Sequence, residues 1–202
     1  MSKFYAVRNG RMKGIFLNWP DCKAQVDKYK DAKYKSFESI AEAAQFLVGG
    51  SPVQEDITVD SYYAFVDGSY NPATKNYSSG VLILKGDDVV DKISKMGGDT
   101  EAASMRNVAG EILGAELAIQ YALAHGYKKF TVFHDYTGIS EWADGYWKTN
   151  NKYTKKYAAY VAEARKTCDI TFVKVKGHSG NKYNDMADAL AKEALGLIVT
   201  NF

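Results

Sequence analysis

The sequence predicts an α/β protein: a mixed five-stranded sheet flanked by helices, preceded by a small α+β module. Three observations predict it. From residue 62 onward, three alternating strands run in succession and are followed by helix, strand, helix and strand, a pattern that gives a mixed sheet with helices on its faces. The first fifty residues alternate short strands and short helices. Between the two lies "VGGSPVQEDITVDS" (48–61), where Gly49, Gly50, Ser51 and Pro52 break structure and the acids after them favour solvent. The expected organisation is a first domain at 1–48, a flexible linker at 49–61, a second domain at 62–197 and a tail at 198–202. A connector of that kind has a root-mean-square reach of roughly 18 Å.

In the first domain, "KFYAVRNG" and "KGIFLNW" read as strands, with Asn9-Gly10 as the turn signal between them. A helix follows through "PDCKAQVDKY", then a short strand around "KYKSF" and a helix in "SIAEAAQFL". Ser39 is the expected N-cap of that helix, with Glu42 three residues on as its capping-box partner. The second domain opens with "YYAFVDGS", where Tyr63, Phe65 and Asp67 share one side of a strand and Ala64 and Val66 the other. "SSGVLILKG" and "DVVDKISKM" continue the meander. A long helix is expected from about Ser104 to His125. After it come the strand "KFTVFHD", helical stretches "GISEWADGYW" and "KKYAAYVAEARK", the strand "DITFVKVKG" and a last helix from about Tyr183 to Leu195.

Composition narrows the function classes. With 46% hydrophobic and 25% charged residues, the 202-residue chain reads as globular. No apolar run reaches the roughly 18 residues needed to cross a bilayer, so no membrane is expected among its partners. The start, "MSKFYAVRNGRMKG", lacks the apolar stretch of a signal peptide, and a cytoplasmic location is expected. Cys22 and Cys168 have neither metal-type spacing nor the numbers for a disulfide framework. Charge is uneven. Residues 1–50 carry nine Lys/Arg against five Asp/Glu, and residues 51–60 carry three acids and no base. A basic first domain suits a polyanion, although a basic solvated surface has the same signature.

Four carboxylates stand in awkward places. Asp67 and Asp135 end apolar strands, where ligands gather in sheets covered by helices. Either one alone is more simply a turn former. Glu111 shares a helical face with Ala115, Ala118 and Ala122, a face small enough to lie close against a sheet. Asp188 shares one with Asn184, Ala191 and Leu195. A buried carboxylate must be neutralised, paired or metal-bound. Oxygen ligands without a cysteine or histidine cluster select Mg²⁺ or Mn²⁺, and two such ions clamp an in-line phosphoryl displacement. His178, in "KVKGHSGNKYNDMAD", sits between glycines on an expected loop, and histidine is the side chain whose ordinary pKa lies nearest neutral pH.

"FVDGSYN", "RNVAGEILGA", "FHDY" and "VKGHSGNKYNDMADALAK" resemble, in order, the four acidic motifs of type 1 ribonuclease H, over residues 62–196. "FYAVRNGRMKGIFLNWPDCKAQVDKYKDAKYKSF" resembles the hybrid-binding domain that precedes many such enzymes. The resemblance implies a ribonuclease H-like fold and an endoribonuclease. It would cut the RNA strand of an RNA/DNA hybrid duplex with two Mg²⁺ ions, leaving 5′-phosphate and 3′-hydroxyl ends, with no obligatory protein partner. It implies Asp67, Glu111, Asp135 and Asp188 as metal ligands, and His178 as a group assisting proton transfer or product release. Gly68, Ser69 and Asn107 would lie along the RNA strand, while Trp19 and Tyr34 would pack on the DNA sugars with Lys35 near phosphates. There are departures. Tyr136 stands where a small serine is usual, Arg106 where a threonine is expected, and Ser36 where a second lysine follows. The basic handle is shortened to "EWADGYWKTNNKYTKKY", in which Trp142, Trp147 and Lys148 still suit the DNA strand. A resolvase or integrase on the same fold and a noncatalytic hybrid-binding protein are the competing readings. The "KGHSGN" loop argues against the first, and the presence of all four carboxylates against the second.

Overall fold

The computed structural model describes residues 3–47, 62–177 and 182–197. The expected linker (49–61), the tail (198–202) and His178 lie outside the described residues.

The N-terminal module is built from β1 (Phe4–Asn9), β2 (Gly14–Phe16), α1 (Trp19–Val26), β3 (Lys33–Phe37) and α2 (Ile40–Leu47). Its sheet has the order β2-β1-β3, antiparallel throughout. Asn9-Gly10 does not form a two-residue hairpin. Pairing of β1 with β2 stops at Val7↔Gly14, while Asn9 pairs with Lys33 on the other side past a bulge. The connection is therefore longer than the dipeptide signal implied. Asn18 caps α1, its Oδ1 accepting the Asp21 N–H at 2.9 Å, and Pro20 sits in the first turn, where a missing N–H costs nothing. The helix after Ser39 begins at Ile40, and the Ser39 carbonyl accepts the Ala43 N–H.

The second domain contains β4 (Tyr62–Asn71), β5 (Asn76–Lys85), β6 (Asp88–Met96), a 3₁₀ turn (Ala102–Met105), α3 (Asn107–Ala124), β7 (Lys129–His134), α4 (Gly138–Ala143), α5 (Lys152–Ala164), β8 (Asp169–Lys174) and α6 (Lys182–Ala194). The sheet order is β6-β5-β4-β7-β8, with the first three strands antiparallel and β7 and β8 parallel to β4. The alternation in β4 divides as its sequence requires. Ala64 and Val66 join the core beneath α3 and α5, whereas Tyr63 and Phe65 join the core on the opposite face, with Ala187 of α6. Ala115, Ala118 and Ala122 of α3 are fully buried, so the helix backbone lies close on the sheet. Among the described residues, no helix is long and apolar enough to cross a membrane.

The two domains touch. Ala6, Ile15, Ile40 and Ala43 are buried in the same cluster as Phe133, Val173 and Val175 on the α6 face of the larger sheet. The apolar residues of β1 and β2 thus serve two cores. The sequence pattern could assign them only to their own module, because nothing local marks a partner 160 residues away.

Candidate active site

The register of the central strands brings two carboxylates together. β4 and β7 run parallel, and their last ladder pair is Phe65↔Phe133. Asp67 and Asp135 each follow that pair by two residues, so both point to the same side of neighbouring strands about 4.8 Å apart. Glu111 arrives from α3. Gly68 makes this approach feasible, since a Cβ there would collide with the Asn107 carbonyl and the Glu111 amide. One ligand atom from each of Asp67, Glu111 and Asp135 lies within 4.8 Å of the other two.

Asp188 stands slightly apart. α6 packs directly on Gly80, which pairs with Asp67 in the β4–β5 ladder and has no room for a side chain. That places Asp188 near enough for its charge to act on Asp67. Its own Oδ2, however, accepts from Lys192 Nζ at 2.6 Å, one helical turn away.

Electrostatics make these groups costly to ionise together. Burial, then the Asp135 and Asp188 charges, push the Asp67 carboxyl up to about 8. Burial foremost raises Glu111 well above the ordinary carboxylate range, with Asp67 and Asp135 adding to it. The Gly68 N–H opposes both shifts. Glu111 Oε2 is buried with no hydrogen-bond partner. An orphaned carboxylate oxygen beside two more carboxylates is a donor set for a hard divalent cation, and these residues fit one.

The structure also supplies neighbours that the sequence reading passed over. Lys174 Nζ donates to the Asp135 carbonyl at 2.9 Å, and burial lowers its pKa while Asp135 and Glu111 raise it. Its place at the end of the strand beside β7 was a readable signal. His134, immediately before Asp135, is fully buried, and burial drives its pKa down to about 3. Its Nδ1–H donates to the Tyr136 carbonyl at 2.9 Å, fixing the neutral tautomer. Gly177 lies against the Asp135 carboxylate so closely that any side chain would strike it.

The remaining sequence-predicted residues fall in three places. Gly68 and Ser69 continue β4 beyond the carboxylates, and Asn107 opens α3 beside them, exposed. Arg106, next to Asn107, has φ 55°, a strained conformation of the kind that gathers at functional sites. Tyr136 packs on Trp142, and Trp142 on Trp147, with ring centroids 5.8 and 6.0 Å apart. Trp142, Trp147 and Lys148 line one cavity of about 400 Å³. In the N-terminal module, Tyr5, Trp19 and Tyr34 form a row with centroids 5.9 and 5.7 Å apart, and Trp19 and Tyr34 are exposed. Lys35 is not part of that row. It faces the other side of β3, its Nζ 5.2 Å from the centre of the Phe37 ring.

A mixed sheet whose two inner parallel strands end in a carboxylate cluster able to hold a metal ion defines the class of site. The comparisons make it specific. The RNase H family profile matches residues 59–196, and the profile described as the Ribonuclease H1 N-terminal domain matches residues 3–47. Curated proteins named Ribonuclease H1 from Rattus norvegicus and Homo sapiens are each 27% identical, over 96% and 94% of this chain and 89% and 88% of their own. Ribonuclease H of Dinoroseobacter shibae is 31% identical over 66% of this chain and 90% of its own. The solved RNase H1 of Halobacterium salinarum shares the fold with a TM-score of 0.57 at 21% identity, covering 67% of this chain and 98% of that one. The chain belongs to the ribonuclease H family, and its first module is that family's N-terminal domain.

Proposed function

We propose that the protein hydrolyses the RNA strand of RNA/DNA hybrids with two divalent ions, Mg²⁺ or Mn²⁺, leaving 5′-phosphate and 3′-hydroxyl ends. The observation that carries this reading is the convergence of Asp67, Glu111 and Asp135 within 4.8 Å, with one Glu111 oxygen buried and unpartnered. A solved RNase H1 of the same fold, LC11-RNase H1, is described in complex with RNA/DNA hybrid, with a TM-score of 0.53 at 17% identity.

Asp67, Glu111, Asp135 and Asp188 hold the ions in this reading. When bound, the ions supply an activated water and stabilise the leaving oxygen of an in-line displacement. Lys192, one helical turn on, donates to Asp188 Oδ2 and so fixes the direction of that carboxylate. Lys174 ties the end of β7 to that of β8 and so fixes where Asp135 stands. Gly68, Ser69 and Asn107 lie along the RNA strand, where 2′-hydroxyls distinguish RNA from DNA. Trp19 and Tyr34 present ring faces to the DNA strand, which suits sequence-tolerant stacking; Lys35, on the other side of β3, stands outside that contact.

The test is one gel with labelled hybrid, RNA duplex and DNA duplex, each in Mg²⁺, in Ca²⁺ and in chelator. Cleavage of the hybrid's RNA strand in Mg²⁺ alone is expected. Ca²⁺ takes longer bonds and looser geometry, so it supports binding without turnover. Mg²⁺-like rates in Ca²⁺ argue against the two-ion arrangement, and cleavage of DNA duplex argues for a strand-transferase relative.

A further inference from the structure

The apolar side of the N-terminal sheet is closed by the catalytic domain. Ile15 and Ile40 are 2% and 0% exposed, and they share a cluster with Phe133, Val173 and Val175. Ile15 also forms a single parallel bridge with Val175, the residue just past the end of β8. Gly14 makes the approach feasible, since a Cβ there would stand 2.8 Å from the Lys174 carbonyl. At the rim, Lys176 Nζ donates to Asp21 Oδ2 at 2.8 Å. The Lys176 side chain is more than half exposed, so this ion pair orients the contact more than it holds it. The holding is apolar.

The same contact runs from the aromatic row to the carboxylates. Trp19 is two residues before Asp21. Lys176, the partner of Asp21, precedes Gly177, and Gly177 lies against the Asp135 carboxylate. A module hanging on a connector would leave Ile15 facing water and would carry Trp19 and Tyr34 to no fixed place.

We propose that the N-terminal module stays in this seat during cleavage, so that the spacing between grip and cut is set by the interface and not by the connector. The proposal rests on the hybrid-hydrolase reading and adds that the enzyme grips its duplex with one continuous surface. Where the Tyr5–Trp19–Tyr34 row holds the duplex, the scissile bond follows at one fixed offset.

The test keeps the chain intact. Doubling residues 49–61 with a Gly/Ser insert dilutes a tethered module about threefold and lets its grip wander relative to the cut. A seated module keeps its cut positions on an end-labelled long hybrid, with a KM changed by less than about twofold. A shifted or broadened cut pattern, or a larger rise in KM, overturns the proposal. A second variant, Asp21→Cys with Lys176→Cys, is closed with a short bifunctional thiol-alkylating reagent, each thiolate displacing one halide leaving group; Cys22 and Cys168 are buried and do not compete. The expected result is efficient closure without hybrid, followed by cutting at the same positions within about threefold of the unclosed variant's rate. Failure to close, or loss of cutting on closure, overturns the seat. The unclosed variant and the wild type report separately on hydrolysis. If neither cuts hybrid in Mg²⁺, the functional reading fails, and the closure yield still decides whether the seat exists.

Discussion

Asp67 carries the clearest linkage between charge, stability and activity. Without metal its carboxyl is pushed from the ordinary 3.8 up to about 8, by burial first and then by Asp135 and Asp188. The folded protein therefore keeps a proton that the unfolded chain releases. The stability tied to that proton is full below about pH 4 and is lost as pH rises through about 8. In chelator, the wild-type Tm should fall across that window, and Asp67→Asn should flatten the fall. At pH 8 the variant should melt no lower than wild type. A gain of about 1 kcal/mol would appear as about 2–4 °C. In Mg²⁺ the same variant should lose turnover by more than about 10³-fold, several kcal/mol of transition-state stabilisation. Turnover within about tenfold of wild type would mean that Asp67 is not a ligand. His178→Ala should behave differently. A group assisting proton transfer is worth about 10²–10⁴-fold, so slowed but measurable turnover with unchanged hybrid affinity is expected. Complete loss with metal affinity intact would make His178 essential.

Elements place these residues, and their placement was partly legible. The alternation of "YYAFVD" separated Ala64 and Val66 from Tyr63 and Phe65, and the two groups do face different cores. The alanine face of α3 marked a helix lying close to the sheet, which carries Glu111 inward. The pairing of Asp67 with Asp135 was not legible, because it depends on the parallel register Phe65↔Phe133. Lys174 gave half a signal: its place at a strand end was readable, but its bond to the Asp135 carbonyl was not, because a lysine in a strand ordinarily points to water. The ion pair of Asp188 with Lys192 was readable from its i, i+4 spacing but competes with the inward role that its helical face suggests. Gly68 is where element packing can be tested. Gly68→Ala forces α3 off β4, at about 1–3 kcal/mol. Because the shift moves Glu111 relative to Asp67, the Mg²⁺ concentration for half-maximal turnover should rise by more than the melting loss alone implies. A variant that melts lower but keeps the wild-type Mg²⁺ midpoint would show that this close approach serves packing only.

At the scale of the whole molecule, the proposed function gives the first domain a share of capture and the second the cutting, so the two should separate in kinetics. Replacing Trp19 and Tyr34 together by alanine removes two exposed ring faces, each worth about 1–3 kcal/mol toward stacked nucleotides. KM for hybrid should rise by at least about tenfold, with turnover at saturation preserved and the salt dependence unchanged. Lys35→Ala, on the other side of β3, should leave both KM and salt slope close to wild type. Equal KM for the aromatic variant and wild type would remove Trp19 and Tyr34 from the hybrid surface. The bridge between Ile15 and Val175 also bears on how the chain is made. On the ribosome, Ala6, Ile15, Ile40 and Ala43 emerge long before Val173 and Val175. At about 5–20 residues per second, the delay is roughly 7–26 s. For that interval the newborn N-terminal module has an apolar flank with no strand to rest on. Until β8 has been synthesised, that flank is open to water, and a chaperone would find its binding surface there.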